Sequence, residues 1–291
     1  MTLQTGLFIF MNGVTQAALL FVISSGLAMV YGLMKIVNMA HGAFYLMAAF
    51  IGHAILARTG SWWLALLCTS LLMAVFCLLL QVTLFKRALN NPMLGTLMSL
   101  GLALFIADIV LHYSLGLFQT IIGPPFIARP YNLFGIMNYP GSRIVVLVAA
   151  LIQAVFMYVL IQKTRLGQII RAGVNDRDMV SALGINIARV FIIVFVLAGL
   201  LIGFGGVLGG TMQAFGVGIE SQIQMLALMV IIVGGQGSVF GAAMSSLLIG
   251  LTGSITMAFV PNASSVIVFG IVMLVLVYRP QGFFGMEGRT R

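Results

Sequence analysis

Nine apolar runs, at about 7–33, 37–57, 62–85, 93–117, 144–161, 190–212, 223–238, 240–260 and 264–278, fill most of this sequence. Most approach the roughly 20 residues a helix needs to cross the hydrocarbon core of a bilayer. In that solvent each backbone N–H and C=O must be paired inside the protein, so such runs fold as helices. The dyad alternation of a membrane β-barrel is absent. The expected fold is all-α: a polytopic transmembrane helical bundle of about 8–9 spans, one transmembrane domain over residues 1–291 with a polar cytoplasmic segment. Hydrophobic residues make up 62% of the chain, against about 45–50% in soluble domains, so a soluble fold is excluded. The first run has no basic flank of the kind that precedes a cleaved signal, so it is expected to stay in the protein.

Orientation follows from positive charge in the short loops. If all nine runs cross, 11 of the 14 basic residues lie on the cytoplasmic side and three, Arg58, Arg129 and Arg143, lie outside. A re-entrant seventh run would carry Arg279, Arg289 and Arg291 outside, so a true but short crossing is expected there. The longest outer loop, about 119–143, contains Pro124, Pro125, Pro130 and Pro140, which stiffen it by fixing φ. Its arginines, with Arg58, either receive a soluble partner or anchor headgroups. The net charge of +9 comes from the cytoplasmic loops. No basic cluster is interleaved with aromatics as a nucleic-acid groove would require.

Between Gln162 and Arg189 lies the one long polar island, with five basic residues and the acids Asp176 and Asp178. Asn175 or Asp176 can cap a helix start, Asp178 adds charge to its first turn, and Gly184 suits a left-handed end. A helix of about two turns is expected, with Met179, Val180 and Leu183 as its apolar face. Two readings fit: an amphipathic helix on the headgroups, or a short helix that plugs into a cytosolic partner.

Within the apolar runs, Asn38-Met39-Ala40-His41-Gly42 and Gly234-Gly235-Gln236-Gly237-Ser238 read as helix breaks. Interrupted helices in a membrane either line a cavity or form turns at its surface, and both remain open here. Gly199 and Gly203, Gly205 and Gly209, and Gly206 and Gly210 form small-xxx-small rows for close helix packing. Asp108 and His112, four apart, either pair or sit at the interface. His41 and His53 lie about 120° apart around a helix, which argues against joint metal binding. Cys68 and Cys77 fall on opposite helix faces, so no disulfide joins them. Without a Gly-Lys pair there is no P-loop, and without His-Glu-x-x-His there is no intramembrane zinc protease. No enzyme activity and no metal or cofactor site is expected.

Four stretches carry a family resemblance: GVTQAALLFVISSGLAMVYGLMKIVNMAHGAFYLMAAF, TRLGQIIRAGVNDRDMVSALGINIARV, LGGTMQAFGVGIESQIQMLALMVIIVGGQGSVFGAAMSSLLIG and VLVYRPQGFFG. Together they resemble the permease subunits of branched-chain amino-acid ABC transporters, the LivH-like group, over essentially the whole chain. The resemblance implies an importer in a bacterial inner membrane. Its partners would be a homologous LivM-like permease, two cytosolic ATPases that hold ATP and magnesium, and a periplasmic binding protein. It implies a coupling helix near Asp176 to Leu183, with Arg165, Gly167, Arg171, Ala172, Asn175, Asp178 and Gly184 shaping the loop. It places Asn38, His41, Gly234, Gly235, Gln236, Gly237 and Ser238 near the solute pathway. Many relatives carry Glu after the His-Gly pair where this chain has Ala43, and relatives also move urea, short amides and other amino acids. A stand-alone secondary carrier is the alternative in kind, with Asp108 as its candidate acid.

Overall fold

The computed structural model describes residues 3–88, 91–133, 135, 137–235 and 237–284. Helix α1 (Leu3–Met34) leads into α2 (His41–Thr59), α3 (Trp62–Thr83) and α4 (Pro92–Ser114). The loop that follows holds a one-turn helix, α5 (Pro125–Ala128), and a hairpin of β1 (Pro130–Leu133) and β2 (Met137–Pro140). This small antiparallel pair, in register Tyr131 to Tyr139, was not expected from the loop's prolines. Proline is tolerated there because the ribbon has only two strands, each with a free edge. Helices α6 (Gly141–Lys163), α7 (Arg165–Asn175), α8 (Arg177–Ala182), α9 (Ile187–Met212), α10 (Ile219–Gly234), α11 (Val239–Phe259) and α12 (Ser264–Tyr278) complete the chain.

Among the described residues eight helices are long and apolar enough to cross a membrane, and α10, at 16 residues, is a shorter ninth. The protein is thus a multi-pass membrane protein. Side chains just outside the helices set many of their starts. Ser61, Asn91, Thr164, Asp176, Asn186 and Ser238 each accept a first-turn N–H, at 2.9–3.4 Å. Each of these bonds satisfies one donor that the helix itself cannot.

Helix α1 is the hub, enclosed by α6, α9, α10 and α11, while α4 and α12 turn large apolar faces outward to lipid. The glycines of α9 serve different neighbours rather than one row each. A Cβ on Gly199 would stand 2.6 Å from Met73 O and one on Gly203 2.7 Å from Ser70 Cα, so this pair seats α3. Gly205 faces Val22 and Ile23 of α1, and Gly206 faces Ala48 of α2. Close backbone approach gives dispersion contacts where lipid supplies no hydrophobic drive.

The break before α2 is the main irregularity inside the bundle. His41 Nε2 lies 2.8 Å from the carbonyl oxygen of Ile23, near the middle of α1. Residues 35–40 therefore turn back beside α1, and the His41 ring reaches a carbonyl about 16 Å short of that helix's end, the rise of its last 11 residues. Their polar groups are met from three sides. Met39 N–H donates to Ser99 Oγ of α4 (2.9 Å) and Ala40 N–H to Asn38 Oδ1 (3.0 Å). Gln224 of α10 accepts from Gly42 N–H (2.8 Å) and donates to Asn38 O (3.2 Å). Helix α2 has no local side-chain cap, so a residue far away in sequence supplies one. A Cβ on Gly42 would fall 2.0 Å from Glu220 O, so this crossing of α2 and α10 admits only glycine.

Candidate functional site at the polar end of the bundle

The polar island forms two helices, not one. Helix α7 is capped by Thr164 and turns sharply off α6, where a Cβ on Gly167 would meet Ile161 O at 2.2 Å. Arg171 fastens that corner: its Nη1 donates to Ile161 O and to Gln162 Oε1, so it caps the open carbonyl end of α6. Asn175 ends α7, and Asp176 is the cap of α8, accepting from Met179 N–H at 2.9 Å.

Helix α8 is six residues long, shorter than the two turns expected. Gly184, at φ +80°, closes it; Gly184 N–H bonds Ser181 O and Ile185 N–H bonds Val180 O. That pair of bonds is the left-handed helix ending that glycine favours. The apolar face read from the sequence divides. Val180 is buried and holds α8 to the bundle, whereas Met179 and Leu183 are 61% and 72% exposed. Arg165, Ala172, Asn175, Asp176, Asp178 and Gly184 lie at the same polar end, and Asp178 and Gly184 are exposed beside them. The result is a firmly terminated, anchored helix that shows two apolar side chains to water within a polar surround.

Its electrostatics are cationic on the side nearest α1. The Arg177 guanidinium lies over the Phe191 ring, 5.9 Å from its centroid. Lys35, in the left-handed region at φ 56°, has its ammonium held below its ordinary value, first by burial and then by Arg177.

The glycine turn after α10 sits against this same island. A Cβ on Gly32 of α1 would approach Gly237 Cα to 2.4 Å, and Gly237 also packs on Val174 of α7. Gly234 O would be 1.9 Å from a Cβ on Gly241. Phe283 and Phe284 donate their N–H groups to Val233 O and Gly234 O, so the segment after α12 closes the end of α10. Gly234, Gly235, Gly237 and Ser238 thus form a turn at the polar end of the bundle, not a break in its interior; Gln236 lies outside the described residues. The reason is the course of α10 (Ile219–Gly234), which meets the start of α2 at Gln224 and uses its remaining turns to reach the end. A gap of about 30 Å³ remains among Met29, Ile170, Arg171, Val174, Gly237 and Val239.

Two groups assigned separate roles from sequence are therefore in contact through Val174 and Gly237. Asn38 and His41 are enclosed, at 3% and 2% exposure, and form the braced start of α2 rather than the wall of an open space. Gln224, which bonds Asn38 O and the Gly42 N–H, was missed; its signal was an amide carried into an otherwise apolar helix. At the opposite end, Arg58 is exposed and Arg129 lies on the Tyr131 ring at 5.5 Å. Arg143 instead turns inward, donating to Asn12 Oδ1 of α1 with its guanidinium over Tyr139. Asp108 and His112 both lie on α4, a helix largely open to lipid. Cys68 and Cys77 are free thiols, and no three potential ligands cluster for a metal among the described residues.

Comparison with known proteins extends over this whole architecture. Residues 9–277 match the family model described as branched-chain amino acid transport system / permease component. The permease protein LivH of Salmonella typhimurium, named as part of a high-affinity branched-chain amino acid transport system, is 26% identical, with 94% of each chain covered. BraD of Pseudomonas aeruginosa, named likewise, is 27% identical with the same coverage. A probable LivH of Methanocaldococcus jannaschii is 23% identical over 95% of this chain and 91% of its own. No solved structure matches. With nearly all of its helices inside that match, the chain belongs to the branched-chain amino acid transport permease family and is a transport component rather than an enzyme.

Proposed function

We propose that the chain is one permease subunit of an ABC importer for branched-chain or other hydrophobic amino acids, resident in a bacterial inner membrane. On this reading a second, homologous permease completes the pathway. Two cytosolic ATPases hold ATP and magnesium, and a periplasmic binding protein delivers the solute. The observation that carries it is mechanical. Helix α8 is exposed, fixed at both ends by Asp176 and Gly184, and continuous with α7, whose Val174 bears on the Gly237 turn between α10 and α11. A groove on an ATPase that takes up Met179 and Leu183 would move α7 and α8 as one body. That displacement would reach α10 and α11 through Gly237, and α1 through Gly32.

A stand-alone carrier needs an ionisable group facing the interior of the bundle. Asp108, the acid available for it, lies on α4 at the bundle's lipid-facing edge instead. The test is co-purification with an ATPase pair, followed by binding-protein-stimulated ATP hydrolysis and uptake across leucine, isoleucine, valine, urea and short amides. Stimulation by branched-chain amino acids is expected. Stimulation by urea or amides alone would move the assignment to that branch of the family, and uptake by the isolated chain without ATPase would overturn it.

A further inference from the structure

Away from the island, α1, α10, α11 and α12 border an open cleft of about 1000 Å³ that the site above does not use. It lies toward the end of the bundle where α1 begins and α11 ends. Small-molecule clefts measure about 300–1,000 Å³, so this one is at the roomy end of that range. Its wall is largely apolar, with Met225 and Met229 among its side chains. Methionine is flexible and polarisable and adapts to apolar groups of differing shape. Asn12 and Gln16 from α1, Arg143 from the start of α6 and Gln222 from α10 are among its polar groups, with hydroxyls of Thr5, Ser254, Ser264 and Ser265 beside them.

The charge in this wall is one-sided. Arg143 is the cation, and no acid lines the cavity among the described residues. Asn12 Oδ1 and the Tyr139 ring hold the guanidinium in place and occupy part of its donor set. A guanidinium carries five N–H donors in a planar fork matched to a carboxylate, so donors remain for a solute. Among the described residues the Gln16 and Gln222 amides make no hydrogen bond to protein. They can accept from an ammonium or donate to a carboxylate.

Resting on the function proposed above, we infer that this cavity is a solute chamber in which Arg143 takes a carboxylate. Gln16 and Gln222 receive the rest of the polar head, and the methionine wall receives an apolar tail. The chamber recognises the acid end of its solute more strictly than the amine, because nothing in the wall offers the amine an opposite charge. Asn38, His41 and the Gly234–Ser238 turn then act at a distance, on helices that move the wall.

The test is chemical modification of Gln222→Cys in the assembled transporter, with the wild-type chain giving the background from Cys68 and Cys77. A 2-sulfonatoethyl methanethiosulfonate is expected to react roughly fivefold faster than the trimethylammonium reagent, since a one-signed cleft concentrates the opposite charge. Arg143→Gln should erase that preference. Millimolar L-leucine and its 2-oxo acid should slow labelling, while leucinol should not. Three results would each overturn the inference: equal rates for the two reagents, a preference unchanged by Arg143→Gln, or an introduced thiol left unreactive because a subunit or acyl chain fills the cavity. Met225→Trp leaves the Arg143–Asn12 contact intact and should cut uptake about tenfold by filling the chamber; normal uptake would likewise overturn it. A transporter that carries no branched-chain amino acid yet keeps the Arg143-dependent anion preference would refute the proposed solute and support the chamber.

Discussion

Replacing Gln224 by Leu tests the claim that α10 holds the start of α2. The substitution keeps an apolar side chain of similar reach and deletes two hydrogen bonds, Gly42 N–H to Oε1 at 2.8 Å and Nε2 to Asn38 O at 3.2 Å. Hydrogen bonds between membrane helices average about 0.6 kcal/mol, which sets a floor near 1 kcal/mol for the pair. The Gly42 N–H lies in the first turn of α2 and has no partner within its own helix. Gly42 and Asn38 are buried, so water does not replace the glutamine. Stranding a buried donor costs about 1–3 kcal/mol more. The expected loss is therefore about 2–4 kcal/mol, read as a lower denaturation midpoint in detergent with helix content retained. Hydrogen exchange should quicken at Met39 through Ala43 and leave α3 and α9 unchanged. A loss below about 1 kcal/mol, or exchange that quickens uniformly, would show that α2 is capped by something other than α10.

Asp176→Ala should remove about 1 kcal/mol of local stability from α8, with Asp176→Asn restoring most of it, as exchange at the Met179 amide would report. In the assembled transporter the alanine variant should insert normally but hydrolyse more ATP per solute moved. Gly184→Val places a β-branched residue at φ +80° and should uncouple in the same direction; full transport by both variants would end the lever assignment. Gly237→Val introduces side-chain atoms against Gly32 and Val174 at a left-handed position and should depress uptake more than membrane yield, measured on the same preparation. Lys35 gives a pH dependence. Its folded value lies below its usual 10.5, so between those two values the unfolded chain binds more protons and stability climbs with pH. Below that window the penalty is fully present, so Lys35→Gln should raise the melting temperature slightly at pH 7 and give no gain above the window.

The spans were legible because bilayer thickness fixes their length: the run read at 62–85 is α3 at Trp62–Thr83, and that read at 264–278 is α12 at Ser264–Tyr278. Capping chemistry likewise exposed Asp176 and Gly184, since both act through their nearest neighbours in sequence. What stayed hidden depends on depth and on partners far along the chain. The Gly234–Ser238 glycines allow a turn at any height, and only the length and packing of α10 put that turn at the polar end. Residues 37–40 read as the head of a span because nothing local shows that they climb back beside α1. Met179, Val180 and Leu183 are equally apolar, and only α8's seating decides that Val180 goes in and the others out. Gln224 needed Gly42 and Asn38 beside it before its amide had a meaning.

The brace across α2 also bears on how the chain is made. Helices leave the ribosome in order, and α2 must enter the bilayer before Gln224, which lies 182 residues beyond its partner Gly42, has been made. Until α10 arrives, Gly42 N–H and Asn38 O face lipid or the insertion machinery unmet, so the early helices form a half-built intermediate whose commitment waits for the last third of translation. Nascent chains arrested before Gln224 should accordingly be cleared by membrane proteases faster than those arrested just beyond α11.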